Sequence, residues 1–554
     1  MKFPPTRLVL QRARVLLGKL GWRAWLEVAL LAAIVVGAWV HARSYAGATI
    51  DDAFITFRHS WNLIHGHGLS CNAGERVEGT SSSLFALLMT GPIALGADPY
   101  DVATLIGCTA FAGCVLAAYF GVRACLQDES ARVLALGAAA LVAASSELAF
   151  HSQTGMETLP YACLVGAALS LQFAAVADER RAAMWASLFG VAALVRPEGF
   201  LFFLLAFAIA CVARGRSPGA LAKAKRELLR FGVVYVPWLA FRLLYFGKFL
   251  PNSVVAKGGH TSLLVHSDLH ATFTRLVHGP GGALLDDYVR THPLSSALLV
   301  GTFLLPQTRR AGVTAFAFAL ACAALLVWSD GDWMPYSRHL TSAIVPLAIG
   351  ATLGLRGLFF HAEQRTRFGH LPSYALTGLA LWLMLASART RLDVEKVSFV
   401  SLDRLRAMGK HLAPFARDDD LVATEIAGIL PYYWGAQTLD MLGLCDEHIA
   451  RAGRPAPLGS GREDVAYVVA QRPTFYAFNL ASEAARFYAR PEFSSHHDEY
   501  GLLVFPYRLL APLKALPITL FVRKDRKELD RLLSAVGGRL VEPEAELKRL
   551  GYLH

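Results

Sequence analysis

The sequence has few charged residues for its length. They make up 18% of 554 residues, and the mean hydropathy is +0.40. A soluble protein of this length would carry more charge and fewer long apolar runs, so the composition predicts a polytopic α-helical membrane protein. The net charge of +11 does not imply a nucleic-acid partner, because surplus Lys and Arg in a membrane protein usually lie on cytoplasmic loops.

The signature motifs of several enzyme and transporter classes are also missing. The sequence has no P-loop, no GxGxxG opening a helix after a strand and no HExxH. Their absence argues against ATP-driven transport, nicotinamide chemistry and zincin hydrolysis. The eight cysteines show neither a CxxC pair nor metal-ligand spacing. Cys71 and Cys445 are the two that could meet an oxidising compartment, and a disulfide between them is an open alternative.

Apolar runs predict about 11 membrane spans. They lie near 25–42, 101–120, 132–149, 158–176, 183–195, 200–213, 231–247, 295–306, 312–328, 339–355 and 371–388. With the N-terminus inside, the basic loop 214–230 falls on the inner side, as the positive-inside rule requires. We interpret residues 81–96 as an interfacial helix, because counting them as a span would invert everything downstream. The first run could instead be a signal peptide, but the remaining topology works only if it is retained.

The character of the chain changes after Thr390, where the charge density rises. Short β-like runs and helical stretches alternate in this region: the β-like runs are 421–424, 466–469, 502–505 and 518–522, and the helical stretches are 401–413 and 526–536. We therefore predict two domains. A transmembrane domain covers 1–388, with an outer loop at 43–100, and a soluble α/β domain covers 389–554 on the outer side.

The unusual polar motifs all fall on the predicted outer side. The most informative is Asp51-Asp52, directly after the first span. A carboxylate at the membrane interface can act as a general base toward a hydroxyl, or help to hold a divalent cation such as Mg, Mn or Ca. The alternative is a solvated cap on a helix N-terminus. Asp330 and Asp332, after the ninth span, could also bind a cation, although such pairs are common.

Further charged side chains mark the outer ends of later spans. A cation at that depth needs a partner, and a bound phosphate is one such partner. The candidate phosphate-binding residues are Arg196, Lys257, Arg338 and His339. The candidate substrate-binding residues are Arg58, His67, Glu78, Glu157, Glu198, Asn252, Asp332 and Tyr432. Structural ion pairs and interfacial snorkelling are the alternatives for these charges.

These motifs carry a resemblance to a known family. The chain resembles the GT-C class of integral membrane glycosyltransferases, which use polyprenyl-phosphate sugars. It is most similar to the group that contains actinobacterial terminal arabinofuranosyltransferases and a flagellar motor control protein. The resemblance rests on DDAFITFRHSWNLIHGHGL, NAGERVEGTSS, TGMET, RPEG, LPNSVVAK, GDWMPYSRHL and ILPYYWGAQTLDMLGLCDEHIAR, which run from residue 51 to 451. GDWMPYSRHL departs from the related arabinofuranosyltransferase motif, so the identity of the sugar stays open.

The resemblance implies roles for particular positions. The first outer loop of the family has an essential aspartate, which corresponds to Asp51 or Asp52. The family also has a lipid-phosphate cavity that opens to the outer leaflet, and Arg196, Lys257 and Arg338 match motif positions that could line it. The DMLGL stretch, residues 440–444, is expected to dock over this cavity.

The sequence therefore predicts a glycosyltransferase of the bacterial inner membrane with a cytoplasmic N-terminus and a periplasmic C-terminal domain. It would move a sugar, on the resemblance a pentofuranosyl group, from a polyprenyl-phosphate donor to a hydroxyl of an envelope glycan or glycolipid. One aspartate, with Asp51 favoured over Asp52, would deprotonate or orient that hydroxyl. Membrane lipids are expected partners, and nucleic acid is not. The alternatives are a non-enzymatic envelope or flagellar motor factor that retains the fold, and a transporter of lipid-linked sugars, for which no internal repeat is evident.

Overall fold

The structure is a computed structural model. It describes residues 21–126, 130–175, 181–257, 279–291, 302–304, 306–329, 334, 336, 338–363, 378, 397–456, 461–504 and 519–553. Helices dominate the first two thirds of these residues, and a mixed α/β region follows. The predicted fold class, a helical membrane protein with a small C-terminal α/β domain, is confirmed.

The helices before the sheet follow one another with short connections. They are α1 (Trp22–Arg43), α2 (Asp51–Ile64), α3 (Ser83–Ala94), α4 (Pro99–Cys125), α5 (Ser130–Ala144), α6 (Ser146–His151), α7 (Thr158–Ala174), α8 (Arg181–Val195), α9 (Glu198–Arg214), α10 (Ala220–Phe246), α11 (Asn252–Lys257), α12 (Pro280–Thr291), α13 (Pro306–Trp328), α14 (Thr341–Glu363) and α15 (Val397–Leu412). Short 3-10 turns lie at Thr302–Leu304, Arg338–Leu340 and Ala413–Phe415.

Several of these helices have the length and composition of membrane spans. In the part of the chain that the structure describes, five are long and apolar enough to cross a membrane: α1, α4, α10, and the segments Thr308–Trp328 and Arg338–Leu358. Shorter apolar helices accompany them at Ser83–Ala94, Ala131–Ala144, Thr158–Ala174 and Met184–Val195. Most apolar side chains of α1 and α10 point outward rather than into the protein. Such surfaces suit contact with lipid, so the chain is a multi-pass membrane protein.

Most of the predicted spans coincide with a helix, and one is interrupted. The run 132–149 breaks at Ser145, whose side-chain oxygen accepts the backbone N–H of Leu148 at 3.2 Å and starts a new helix, α6. The run 81–96 forms the helix α3, and its location at the membrane interface stays a prediction. Apart from residue 378, the run 371–388 lies outside the described residues, as does most of 295–306.

A tight reversal between α8 and α9 brings charged side chains to one end of the helices. Pro197 lacks a backbone N–H and restricts the preceding Arg196, so α8 ends there. Gly199 has no room for a side chain, since an added Cβ would lie 2.5 Å from the backbone nitrogen of Ala193. Because the two helices approach so closely, Arg196 and Glu198 line the same small recess beside the start of α14.

The C-terminal region contains a mixed six-stranded sheet with the order β2-β1-β5-β7-β6-β8. Its strands are β1 (Leu421–Thr424), β2 (Gln437–Asp440), β5 (Phe475–Phe478), β6 (Tyr500–Val504), β7 (Thr519–Arg523) and β8 (Arg539–Val541). β1 pairs in parallel with β2 and β5, whereas β5–β7, β7–β6 and β6–β8 are antiparallel. The short strands β3 (Arg454–Pro455) and β4 (Arg462–Glu463) form a separate antiparallel pair.

Helices pack around this sheet and complete the region. They are α16 (Ile429–Trp434), α17 (Glu447–Ala452), α18 (Val465–Ala470), α19 (Ala481–Tyr488), α20 (Pro491–Ser494), α21 (Leu529–Val536) and α22 (Pro543–Arg549), with a 3-10 turn at His497–Glu499. The predicted strand at 421–424 is confirmed, and the runs 502–505 and 518–522 overlap β6 and β7. The predicted strand at 466–469 is wrong, because these residues belong to α18. Asp464 starts that helix by accepting the N–H of Tyr467 at 3.0 Å.

The sheet region is held against α2 and the loop that follows it. Phe54 packs edge-on against Tyr432 with ring centroids 5.5 Å apart. Cys71 and Cys445 form a disulfide that joins positions 374 residues apart. The disulfide left open by the sequence is therefore present, and it ties the loop after α2 covalently to the C-terminal domain.

Candidate functional site

A cavity of about 360 Å³ lies where the ends of α2, α7, α9, α11 and α13 meet the turn before α14. Its lining contains both charged and apolar residues. The charged and titratable lining residues are Asp52, Glu157, Arg196, Glu198, Lys257, Arg338 and His339. The apolar lining residues are Ile55, Met156, Phe200, Leu201, Phe249, Leu250, Val254, Leu325, Trp328 and Leu444. The cavity therefore offers both ionic and lipid-compatible surface.

The helix α2 separates the two adjacent aspartates. Asp52, Ile55 and Thr56 line the cavity, and their spacing of three and four residues places them on one helical face. Asp51 and Phe54 lie on another face and contact the C-terminal domain. The Asp51-Asp52 pair therefore points in two directions, and only its second member reaches the cavity.

Asp52 pairs with a lysine inside the cavity. The Lys257 ammonium donates to Asp52 Oδ2 at 3.1 Å, and both side chains are mostly buried. Lys257 is in place because Pro251 ends the preceding loop and α11 then runs from Asn252 to Lys257. A carboxylate oxygen at this position can accept a hydrogen bond or a proton from a hydroxyl group.

Arg196 is bound by two carboxylates. Its guanidinium donates to Glu157 Oε1 at 2.8 Å and to Glu198 Oε1 at 2.6 Å. All three groups are largely buried, so each compensates the desolvation of another. The triad of Arg196, Glu157 and Glu198 carries an excess of one negative charge toward the cavity.

Arg338 and His339 occupy the cavity wall beside this triad. They open the 3-10 turn Arg338–Leu340, which leads directly into α14. Arg338 is buried, and both residues line the main cavity and a small recess shared with Arg196 and Glu198. The two side chains supply basic groups to the lining of the cavity.

Asp51, which the sequence favoured as the base, is occupied elsewhere. Its Oδ2 accepts the backbone N–H of Gly428 at 2.9 Å, and its Oδ1 accepts that of Ile429 at 2.7 Å. Burial raises the pKa of Asp51 from 3.8 to about 7; the two amide hydrogen bonds oppose this shift, and the charge of Asp52 adds to it. Gly428 must be a glycine here, since a Cβ would lie 2.0 Å from the Asp51 carbonyl oxygen. Asp51 therefore joins α2 to the C-terminal domain.

Three other candidate substrate-binding residues also hold the C-terminal domain. Arg58 is buried and donates to the carbonyl of Ala436 at 2.8 Å. The Asn252 side-chain amide lies within 2.9 to 3.1 Å of three carbonyl oxygens, those of Gly443, Leu444 and Asp446. Tyr432 packs on α2. The structure places these three outside the cavity lining.

Among the remaining candidates, Glu78 and His67 are not lining residues of the cavity. Glu78 is buried in an ion pair with Arg242, whose Nε is 2.8 Å from Glu78 Oε2, and it also accepts from Ser83 Oγ at 2.7 Å. His67 is exposed in the turn after α2. Asp332 and Asp330 lie outside the described residues. Over the described ranges, no group of three or more His, Cys, Asp or Glu side chains could hold a metal ion.

Sequence reasoning missed a polar segment of the cavity wall. Residues 79–82, Gly-Thr-Ser-Ser, line the cavity together with the charged residues. Thr80 Oγ1 lies 2.8 Å from Thr56 Oγ1, which fixes the segment to the cavity face of α2. The signal was available, because these residues end the NAGERVEGTSS motif. Glu78 was the candidate site residue predicted in this motif, and the hydroxyl side chains of 80–82 follow it closely.

Comparison of the sequence with known families gives a match to the C-terminal part of the chain. A family model described as a domain of unknown function (DUF8728) matches residues 395–509. A sequence comparison with curated proteins finds no match. Residues 395–509 begin with α15 and include most of the sheet, so this match concerns the C-terminal domain alone.

Solved structures match nearly the whole chain. ArnT from Cupriavidus metallidurans bound to undecaprenyl phosphate is similar with a TM-score of 0.56 at 12% identity, covering 91% of this chain and 98% of ArnT. ArnT in the apo state gives 0.53 at 13% identity, covering 90% and 98%. The apo oligosaccharyltransferase from Archaeoglobus fulgidus gives 0.53 at 12% identity, covering 87% and 73%. The chain has the fold of the GT-C class of membrane glycosyltransferases.

Proposed function

We propose that this protein is a membrane glycosyltransferase that moves a sugar from a polyprenyl-phosphate donor to a hydroxyl acceptor. The observation that carries the proposal is the single cavity that Asp52, Lys257, Arg338 and His339 line together. A carboxylate suits activation of a hydroxyl, and buried basic groups suit a departing phosphate. The similarity to ArnT, which was solved with undecaprenyl phosphate bound, supports a lipid-phosphate donor.

Asp52 is our candidate for the general base. It would take the proton of the acceptor hydroxyl as the oxygen bonds to the anomeric carbon. The bond from that carbon to the phosphate oxygen breaks at the same time, and the phosphate leaves with the electron pair. Arg338 and His339 would stabilise the charge on the departing phosphate. Arg196 contributes less than the sequence suggested, because Glu157 and Glu198 already neutralise it.

The apolar rim of the cavity is suited to a polyprenyl chain. Leu201, Phe249 and Trp328 line the cavity and keep 52%, 58% and 37% of their surface exposed. Large exposed apolar side chains are costly in water but not in a bilayer. A lipid tail could therefore lie against this rim while its phosphate enters the charged side.

The disulfide supports the proposed location of the site. Disulfides persist in oxidising compartments and are rare in the cytosol. The Cys71–Cys445 disulfide lies beside Gly79 and Leu444, which line the cavity. We therefore propose that the cavity and the C-terminal domain lie on the periplasmic side of the inner membrane. An envelope glycan or glycolipid is then the expected acceptor. A pentofuranosyl donor is supported by the sequence resemblance alone.

The proposal is tested by incubating purified protein with synthetic polyprenyl-phosphate sugars and a membrane-lipid acceptor fraction. Release of polyprenyl phosphate and formation of a glycosylated product are measured. Asp52→Asn should lower turnover by about 10²–10⁴-fold, the usual contribution of a general base. Asp51→Asn is the matched control, and it should keep most of the turnover. Equal, full activity in both variants would defeat this assignment, and absence of transfer with every donor would favour the non-enzymatic alternative.

A further inference from the structure

The segment 440–446 of the C-terminal domain reaches into the wall of the cavity. Leu444 lines the cavity and is 6% exposed. It lies near the polar segment 79–82, since a Cβ on Gly79 would lie 3.2 Å from the Leu444 carbonyl oxygen. Leu444 is thus the one residue of the C-terminal region among the lining residues of the cavity.

The backbone of this segment is fixed from within the C-terminal domain. The Asp440 carboxylate accepts the N–H of Leu442 at 2.9 Å and that of Cys445 at 2.7 Å. Gly443 has a φ of +76°, which favours glycine, and a Cβ there would lie 2.8 Å from the Ala450 nitrogen. The conformation that presents Leu444 is thus determined by several independent contacts.

The transmembrane side holds the same segment a second time. Asn252, at the start of α11, binds the carbonyls of Gly443, Leu444 and Asp446. The Cys71–Cys445 disulfide attaches the residue next to Leu444 to the outer loop. Gly79 leaves room for that disulfide, because a Cβ would lie 2.6 Å from Cys445 Sγ and 2.8 Å from Cys71 Sγ. The Cys71–Cys445 disulfide and the Asn252 amide therefore both fix the backbone around Leu444.

We propose that segment 440–446 is a covalently held cover, with Leu444 as a specificity residue that keeps water away from Asp52. This inference rests on the proposed function and extends it to the choice between an acceptor hydroxyl and water. Water could otherwise react in place of the acceptor: its oxygen would bond to the anomeric carbon, its proton would pass to Asp52, and the sugar–phosphate bond would break. The products would be free sugar and polyprenyl phosphate. Closed sites suppress such side reactions by excluding water.

The first experiment uses the full-length protein, a synthetic polyprenyl-phosphate sugar and no acceptor. Leu444→Ala should raise the release of free sugar by about tenfold over wild type, which corresponds to about 1.4 kcal/mol of activation barrier. Leu444→Met, which keeps the apolar bulk, should behave as wild type. Leu442→Ala is the matched control, since Leu442 lies in the same segment but does not line the cavity. Adding Asp52→Asn to Leu444→Ala should abolish the gain.

The disulfide is tested separately. A dithiol reductant that supplies two electrons and two protons converts it to two thiols, and reduced wild type should release free sugar faster. Cys71→Ser/Cys445→Ser should show the same rate with or without reductant. Both sulfurs are buried, at 1% and 3% exposure of their residues, so reduction should require prior loosening of the segment. Unchanged hydrolysis in Leu444→Ala and in the reduced protein would overturn the proposal.

A measurement that needs no sugar donor tests the proposed cover separately from the proposed enzymatic function. Amide hydrogen exchange of segment 79–82 should accelerate in Leu444→Ala and in the double cysteine variant, but not in Leu442→Ala. Faster exchange with no donor turnover in any variant would refute the enzymatic proposal and retain the cover. Unchanged exchange in folded variants would refute the cover itself.

Discussion

Replacing Asp51 by Asn should change how the stability of the protein depends on pH. The Asp51 carboxylate is buried between α2 and the C-terminal domain, where it accepts two backbone N–H groups. Burial raises its pKa from 3.8 to about 7. When the interface opens, the group becomes solvated and its pKa returns toward the ordinary value.

The sign follows from proton binding. Between pH 4 and 7 the assembled protein holds a proton on Asp51 that the open form releases, so stability should fall as pH rises through this window. The contribution is fully present below about pH 4 and is lost above about pH 7. A pKa change from 3.8 to about 7 corresponds to about 4 kcal/mol. Burial raises the pKa of Asp440 to about 6, which adds a second slope of the same sign below pH 6.

Thermal unfolding of the full-length protein, measured from pH 4 to 8, tests this reasoning. The Tm of wild type should decrease with rising pH, and Asp51→Asn should show a shallower decrease toward pH 7, where Glu425, whose pKa burial also raises to about 7, still contributes. The amide of Asn can accept only one of the two backbone N–H groups, so the variant should be less stable at pH 5 and approach wild type at pH 8. Asp530→Asn, at an exposed position of α21, is the control. An identical pH slope in wild type and Asp51→Asn would refute the role given to burial.

Two further predictions concern the donor site and the topology. Arg338→Ala should weaken turnover by roughly one to two orders of magnitude, because losing a charge-assisted contact to phosphate costs about 2–3 kcal/mol. Normal turnover in a well-inserted Arg338→Ala variant would remove Arg338 from the site. A reporter that works only in the periplasm, fused after His554, should be active, while a reporter that works only in the cytoplasm should be silent. The reverse pattern would place the cavity on the cytoplasmic side.

The gathering of Arg196, Lys257 and Arg338 around one cavity could be anticipated from sequence. Each follows or precedes a long apolar run, so each lies near the membrane surface on the same predicted side. Charged groups at that depth need partners, and the structure supplies carboxylates for Arg196 and Lys257. The sequence could not show which side chains pair with Arg196. They are Glu198 of its own RPEG motif and Glu157 of the TGMET motif. That pairing depends on how α7, α8 and α9 pack.

The residues that hold the C-terminal domain could not be separated from cavity residues by sequence. Arg58 and Asn252 are polar residues within motifs, as Lys257 is, but their partners lie roughly 190 to 380 positions away in the chain. Only the folded structure brings those carbonyls to them. The same limit applies to Cys71 and Cys445, whose pairing required knowledge of which loops meet.

The sequence predicts β1, β6 and β7 but not β2, β5 or β8, although β5 reads Phe-Tyr-Ala-Phe and is wholly apolar. β1 and β7 are uniformly apolar or β-branched over most of their length. β2 reads Gln-Thr-Leu-Asp and β8 has three residues, so neither has a clear signal. The run 466–469 has high strand propensity, but the cap at Asp464 and its packing favour a helix.

The geometry of α2 explains how one motif serves assembly and chemistry together. Residues 52, 55 and 56 follow a spacing that faces the cavity, whereas residues 51, 54 and 58 contact the C-terminal domain. A helix turns by about 100° per residue, so neighbours in sequence diverge while residues three and four apart stay together. Substitutions one position apart should therefore have different consequences, with Asp52 controlling turnover and Asp51 controlling attachment of the domain. Because the same domain carries Leu444, a loosened docking face of α2 should also open the cavity to water.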